Sequence, residues 1–315
     1  MFTKFKKLLA SRKLFSNWLT AGVKYYLASR GLIPLKNIEV VCRNSNRASI
    51  PLEAYRTVVN DYWDGLLIVF DGRVATYIRG VRVPIEELDK SDNVGRAIAH
   101  GWSFNGKYWF KGNVKFVHMH GTILGIFEHG CYSDTDVNGK VVVDVGAYVG
   151  DSAIYFALRG ARKVIAIEPH LIAYTEMIEN IKFNDLEDVI IPVNAGLASK
   201  PGRLRIKGAD IRSTVSTYYA PSCNGSIPVI TLGDVLSKYD IRDRSVLKLN
   251  CQGCEYDVVL NDYEHVRMFE EVIIEYHTGA VVLFRNLSKD FECHILKEIN
   301  DDQGLMKCIS ARSRS

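Results

Sequence analysis

Residues 141–156 read VVVDVGAYVGDSAIYF, and the fold follows from this stretch. Its apolar start, Val141 to Val143, is what a strand buried on both faces requires. The run reaches Asp144, turns through Gly146 and Gly150, and enters a helix near Asp151 and Ser152. Glycine is needed where backbone takes positive φ or approaches a ligand closely. The turn, with Ala147 inside it, therefore offers bare backbone at the carboxyl end of a strand, where open α/β sheets bind ligands.

The glycine spacing narrows the ligand. A dinucleotide fingerprint is Gly-x-Gly-x-x-Gly, whereas here Gly146-x-x-x-Gly150 stands without a third glycine. Asp144 would repel a pyrophosphate and attract the ammonium and sulfonium of S-adenosylmethionine. Glu168, followed by Pro169, lies about twenty residues beyond the turn, where an acid grips ribose hydroxyls. Asn194 and Ala195, at the end of IPVNAG, are expected at the adenine edge.

Outward from this motif, strands and helices alternate. KVIAIEP, VIIPVNAG, SVLKLN and EVIIEY read as strands, DSAIYFALRG and IAYTEMIENIKFN as helices, with further helices expected over 254–261 and 281–298 and a terminal strand in LMKCIS. This predicts an α/β, Rossmann-like sheet with helices on both faces over residues 138–315. Before it, residues 38–137 carry short aromatic and β-branched runs separated by turn signals, which predicts a small β-rich subdomain. Its aromatics, Trp102 and Trp109 among them, are read as core, and His118 and His120 as hydrogen-bonding residues of a strand in preference to metal ligands; no metal site is expected.

Residues 1–37 have apolar positions at spacings of three and four, as in an amphipathic helix or two. They hold eight bases and no acid, so of a chain net charge of +4 the remainder carries about −4 (+4 minus +8). The body is therefore not read as a nucleic-acid binder. The basic segment is read as packing on its own domain or on a second subunit, ahead of a peripheral membrane contact through residues 1–30. No apolar run reaches the ~20 residues of a membrane span, and a cytoplasmic location is expected. The seven cysteines are scattered, and Cys251 and Cys254 are read as packing residues.

In GKVVVDVGAYVGDSAIYFALRGARKVIAIEP, ENIKFNDLEDVIIPVNAGLAS, SVLKLNCQGCEYDVV and VIIEYH, taken in order, the chain resembles the FkbM family of S-adenosylmethionine-dependent methyltransferases. The resemblance implies cofactor binding at Asp144, Gly146, Gly150, Ser152 and Glu168, and methylation of a hydroxyl on a sugar, glycan or small metabolite. It also implies a motif after the fourth strand at Lys248, Asn250, Gln252, Gly253 and Glu255. There the family pattern is Lys-x-Asp-x-Glu-Gly-x-Glu, so two carboxylates have become the amides Asn250 and Gln252. Amides hydrogen-bond but do not act as general bases. A cofactor-binding protein without turnover is therefore the rival reading, and a nicotinamide oxidoreductase a weaker third. The candidates for the base are His277, Glu255 and Glu275, with Lys248 expected to anchor an acidic substrate group or pair with Glu275.

Overall fold

The computed structural model describes residues 2–88, 93–207, 218–221, 226–242, 245–300 and 303–314, with the side chains of residues 2–5, 207, 218–221, 299 and 313–314 outside the description. The chain divides into two compact units, Met1–His129 and Gly130–Ser315.

In the first unit the helices Phe2–Ser11 and Trp18–Ser29 precede an antiparallel pair, Asn37–Val41 with Arg47–Pro51, and the helix Leu52–Trp63. The basic segment belongs to this unit: Phe15 is fully buried and bridges to Cys42, and the Ser16 amide donates to the Val41 carbonyl. Two three-stranded meanders follow, with Trp102, Trp109 and Tyr77 buried as core. The unit is less β-rich than its sequence suggests. TILGIF forms the helix Gly121–Phe127, because Ile123, Leu124 and Ile126 can bury together on one helical face. The strand before it ends at Phe116, so His118 and His120 do not alternate along a strand; His120 stands at the N-terminal boundary of this helix, without a capping side-chain bond to it.

The second unit is built on a seven-stranded sheet. Its strands are β1 (Val141–Val145), β2 (Lys163–Ile167), β3 (Ile190–Val193), β4 (Ser245–Leu249), β5 (Glu271–Tyr276), β6 (Phe291–Asn300) and β7 (Gln303–Ser310). The order is β3-β2-β1-β4-β5-β7-β6; the first five run parallel and β7 is antiparallel to both its neighbours. Every residue of β1 and of β4 is buried, as strands covered on both faces must be. One face packs α1 (Asp151–Leu158) and α2 (Leu171–Phe183), the side on which Asp144 meets Ser152 of α1. The other packs Val143, Val145, Leu247, Leu249 and Ile274 against α3 (Leu232–Lys238), α4 (Cys254–Asn261) and α5 (Ala280–Leu287).

Two expectations fail here. The helix expected over 281–298 stops at Leu287, and β6 begins at Phe291, because Phe291 and Cys293 alternate inward against β7. Nor are the cysteines simply packing residues. Cys251 and Cys254 are joined by a disulfide across the turn that leads into α4, and Cys293 and Cys308, directly opposite in the β6–β7 register, by another. Cys42 and Cys131 remain thiols.

Candidate active site

The turn after β1 is a braced structure. Gly146 has φ +74°, and a Cβ there would overlap the backbone carbonyl of Asn250. Gly150 has φ +83°, and a Cβ there would come within 2.8 Å of the Met177 side chain in α2. Both glycines are thus required by packing as well as by backbone angle. The Gly146 and Ala147 amides both donate to the Ile167 carbonyl, tying the turn to β2. Asn180, fully buried in α2, donates from Nδ2 to the Val149 carbonyl at 2.8 Å. Asn180 was missed from sequence, yet it shares a helical face with Ala173, Met177 and Ile181, and one amide on an apolar face was the available signal.

Under the turn lies a buried ion pair. Asp144 Oδ1 is 2.8 Å from Lys248 Nζ, its Oδ2 accepts from Ser152 Oγ at 2.6 Å, and Lys248 also donates to the Gly146 carbonyl at 2.9 Å. This corrects two expectations. Asp144 is engaged internally, and Lys248, 2% exposed, pairs with it and not with Glu275. In physical terms, two charges that deep must neutralise each other.

Glu168 sits at the tip of β2 with Oε2 accepting from the Tyr148 amide at 2.9 Å and Oε1 from the His170 amide at 2.7 Å. Burial pushes its carboxyl up to about 7, against the downward pull of those two bonds and of Lys248. Each oxygen accepts one amide and keeps capacity for a second donor, which suits a vicinal diol such as a ribose. Asn194 turns its Nδ2 to the Glu168 and Pro169 carbonyls at 2.9 and 3.2 Å, so its amide fastens the loop, and Ala195 is buried beside it.

Beyond β4 and β5 a second cluster forms. Asn250 Nδ2 donates to Glu275 Oε2 at 2.7 Å, and Gln252 Nε2 lies 3.0 Å from His277 Nε2. Glu255, fully buried, accepts from the Gly253 amide through Oε2 and turns Oε1 toward His277 Nδ1 at 3.8 Å. Glu255, and with it Glu275 at 3.9 Å, raises His277 above the ordinary histidine range, although burial pulls the other way. Gln252 Nε2 and His277 Nε2 face each other at 3.0 Å, and the tautomer of the ring decides which of them donates. Asn250 therefore has a donor's task that a carboxylate could not perform: an aspartate there would set two negative groups together at Glu275.

Residues 144–290 match the sequence model of the methyltransferase FkbM domain. The chain carries an FkbM methyltransferase domain. It is 38% identical over 74 residues, 24% of its length, to protein arginine N-methyltransferase 6 of Danio rerio, and spans 20% of that relative. Methyltransferase FkbM from Methylobacillus flagellatus KT is similar in structure at 15% identity and TM-score 0.39, over 59% of this chain and 47% of that one. The O-methyltransferase from Bacillus cereus, in complex with SAH, is similar at 9% identity and TM-score 0.36, over 62% and 93%. S-adenosylmethionine is the cofactor a methyltransferase domain takes, and the spare acceptor capacity of Glu168 beside the glycine turn fits its ribose.

Proposed function

We propose that the chain is an S-adenosylmethionine-dependent O-methyltransferase acting on a hydroxyl of a sugar, glycan or small metabolite. The observation that carries this reading is His277: a half-buried imidazole with Nε2 3.0 Å from the Gln252 side-chain amide and Nδ1 faced by Glu255, beyond the same sheet edge as the glycine turn. Glu168 would hold the ribose and the turn after β1 the rest of the cofactor. When bound, the cofactor supplies a methyl carbon already activated by its sulfonium. In the tautomer with its hydrogen on Nδ1, an acceptor hydroxyl that displaces the Gln252 amide from Nε2 meets the lone pair able to take its proton as the oxygen gains the methyl group. Asn250 keeps Glu275 hydrogen-bonded beside it, and Glu255 balances the imidazolium that forms. Alignment of the acceptor supplies most of the remaining rate.

The test is methyl transfer from labelled S-adenosylmethionine to a panel of a glycan, small polyols, an arginine-rich peptide and a tRNA. Label is expected on oxygen of the first two. Label on peptide nitrogen or on the tRNA overturns the acceptor class, and tight cofactor binding without label on any acceptor in the panel or in a cell extract favours the non-catalytic rival.

Glu168 gives a second expectation. Its raised pKa means that the folded chain holds a proton here that an unfolded carboxyl would release near 4.3, so this group's contribution to stability falls as pH rises through about 7. Ribose hydroxyls favour the ionised form, so cofactor affinity should run the opposite way, strengthening up to about tenfold from pH 6 to pH 8. Calorimetric titration across that range checks it. Glu168→Gln should bind more weakly with a flat profile, and an unchanged slope in this variant would remove Glu168 from the ribose site.

A further inference from the structure

We propose that the outer face of the helix Trp18–Ser29, with the residues following it, docks on an anionic membrane surface. Leu19, Val23 and Tyr26 stand at i, i+4 and i+7 and are 54%, 47% and 53% exposed, and the apolar surface continues through Leu32 at 65% and Leu35. The helix is fixed on its far side and along one flank of the stripe. Ala21 and Gly22 are buried there, and the space a Cβ on Gly22 would need is filled by Leu8. The outward stripe keeps about half of its surface open to solvent.

Charge selects the occupant. Lys13 before the helix, Lys24 on it, and Arg30 and Lys36 after it are exposed, Arg30 lies 5.5 Å over the Tyr26 ring, and no acid occurs before Glu39. A self-pairing or neutral apolar partner would leave those bases crowded together. Anionic headgroups match them while the acyl boundary receives leucine, valine and tyrosine. No helix among the described residues is long and apolar enough to cross a membrane, so the contact lies in the interface plane.

The experiment is sedimentation of the full chain with phosphatidylcholine vesicles, with and without phosphatidylglycerol. Binding is expected to be at least about tenfold stronger to the anionic vesicles and to fall as salt screens the bases. Leu19→Asp with Val23→Asp, both on the exposed face, should abolish binding while circular dichroism and the melting temperature stay unchanged. Lys24→Glu with Arg30→Glu should weaken binding to anionic vesicles only. Absence of binding, equal binding to neutral vesicles, or a concentration-dependent dimer lost in the Leu19→Asp, Val23→Asp chain would overturn the proposal. So would an RNA probe bound more tightly than the vesicles through Lys24 and Arg30.

Discussion

Lys248→Ala is expected to destabilise the methyltransferase domain by about 3–5 kcal/mol, the scale seen when one partner of a buried ion pair is removed. Asp144 is fully buried and would be left with Ser152 as its hydrogen-bond donor. A charge so placed must be protonated or hydrated, and either disturbs the floor of the glycine turn. The Gly146 carbonyl loses its donor as well. Urea unfolding of the full chain measures the loss. Pairing Lys248→Met with Asp144→Asn removes both charges and should recover most of the stability, because an apolar or neutral pair of similar volume escapes the desolvation that the ion pair must offset. A Lys248→Ala loss below about 1 kcal/mol, or no recovery in the double variant, would show that the pair does not balance itself.

His277→Ala should lower kcat by about 100-fold or more, the usual contribution of a positioned base, with cofactor affinity within about twofold of wild type. The imidazole is poised by Glu255 and Glu275, which raise its pKa above the ordinary 6.5. A protonated imidazole cannot accept the hydroxyl proton, so the rate should climb as pH rises through that elevated value and level off above it. In His277→Ala the climb should vanish. A variant with the wild-type pH limb would assign the proton transfer to another group.

The reach of sequence reading differs across the chain for physical reasons. β1, its turn and β2 were legible because a strand buried on both faces tolerates only apolar residues and the turn only glycine; the overlap a Cβ on Gly146 would have with the Asn250 carbonyl shows how little choice exists. The residues of the cofactor edge were found, but not their partners. Asp144 reads as a charge awaiting a ligand until β4 is laid beside β1 in register, Lys248 opposite Asp144. Such cross-strand pairs join residues a hundred positions apart and leave no periodic trace. The same holds for Cys293 and Cys308: their link depends on the hairpin register, and the helix expected across 281–298 concealed it. Asn250 and Gln252, read alone, raised the rival reading of a cofactor binder without turnover; in the structure Asn250 donates to Glu275 and Gln252 meets His277.

The position of β7 bears on how the domain is assembled during synthesis. This strand pairs with both β5 and β6, although it leaves the ribosome after either of them. Until Gln303–Ser310 emerges, the outer edge of β5 presents unpaired amides and carbonyls along an apolar strand, a template open to any neighbouring chain. Closure of the sheet therefore waits for β7, whatever has folded before it. Slow translation over these residues, or loss of a few of them, would lengthen the interval in which aggregation competes with folding.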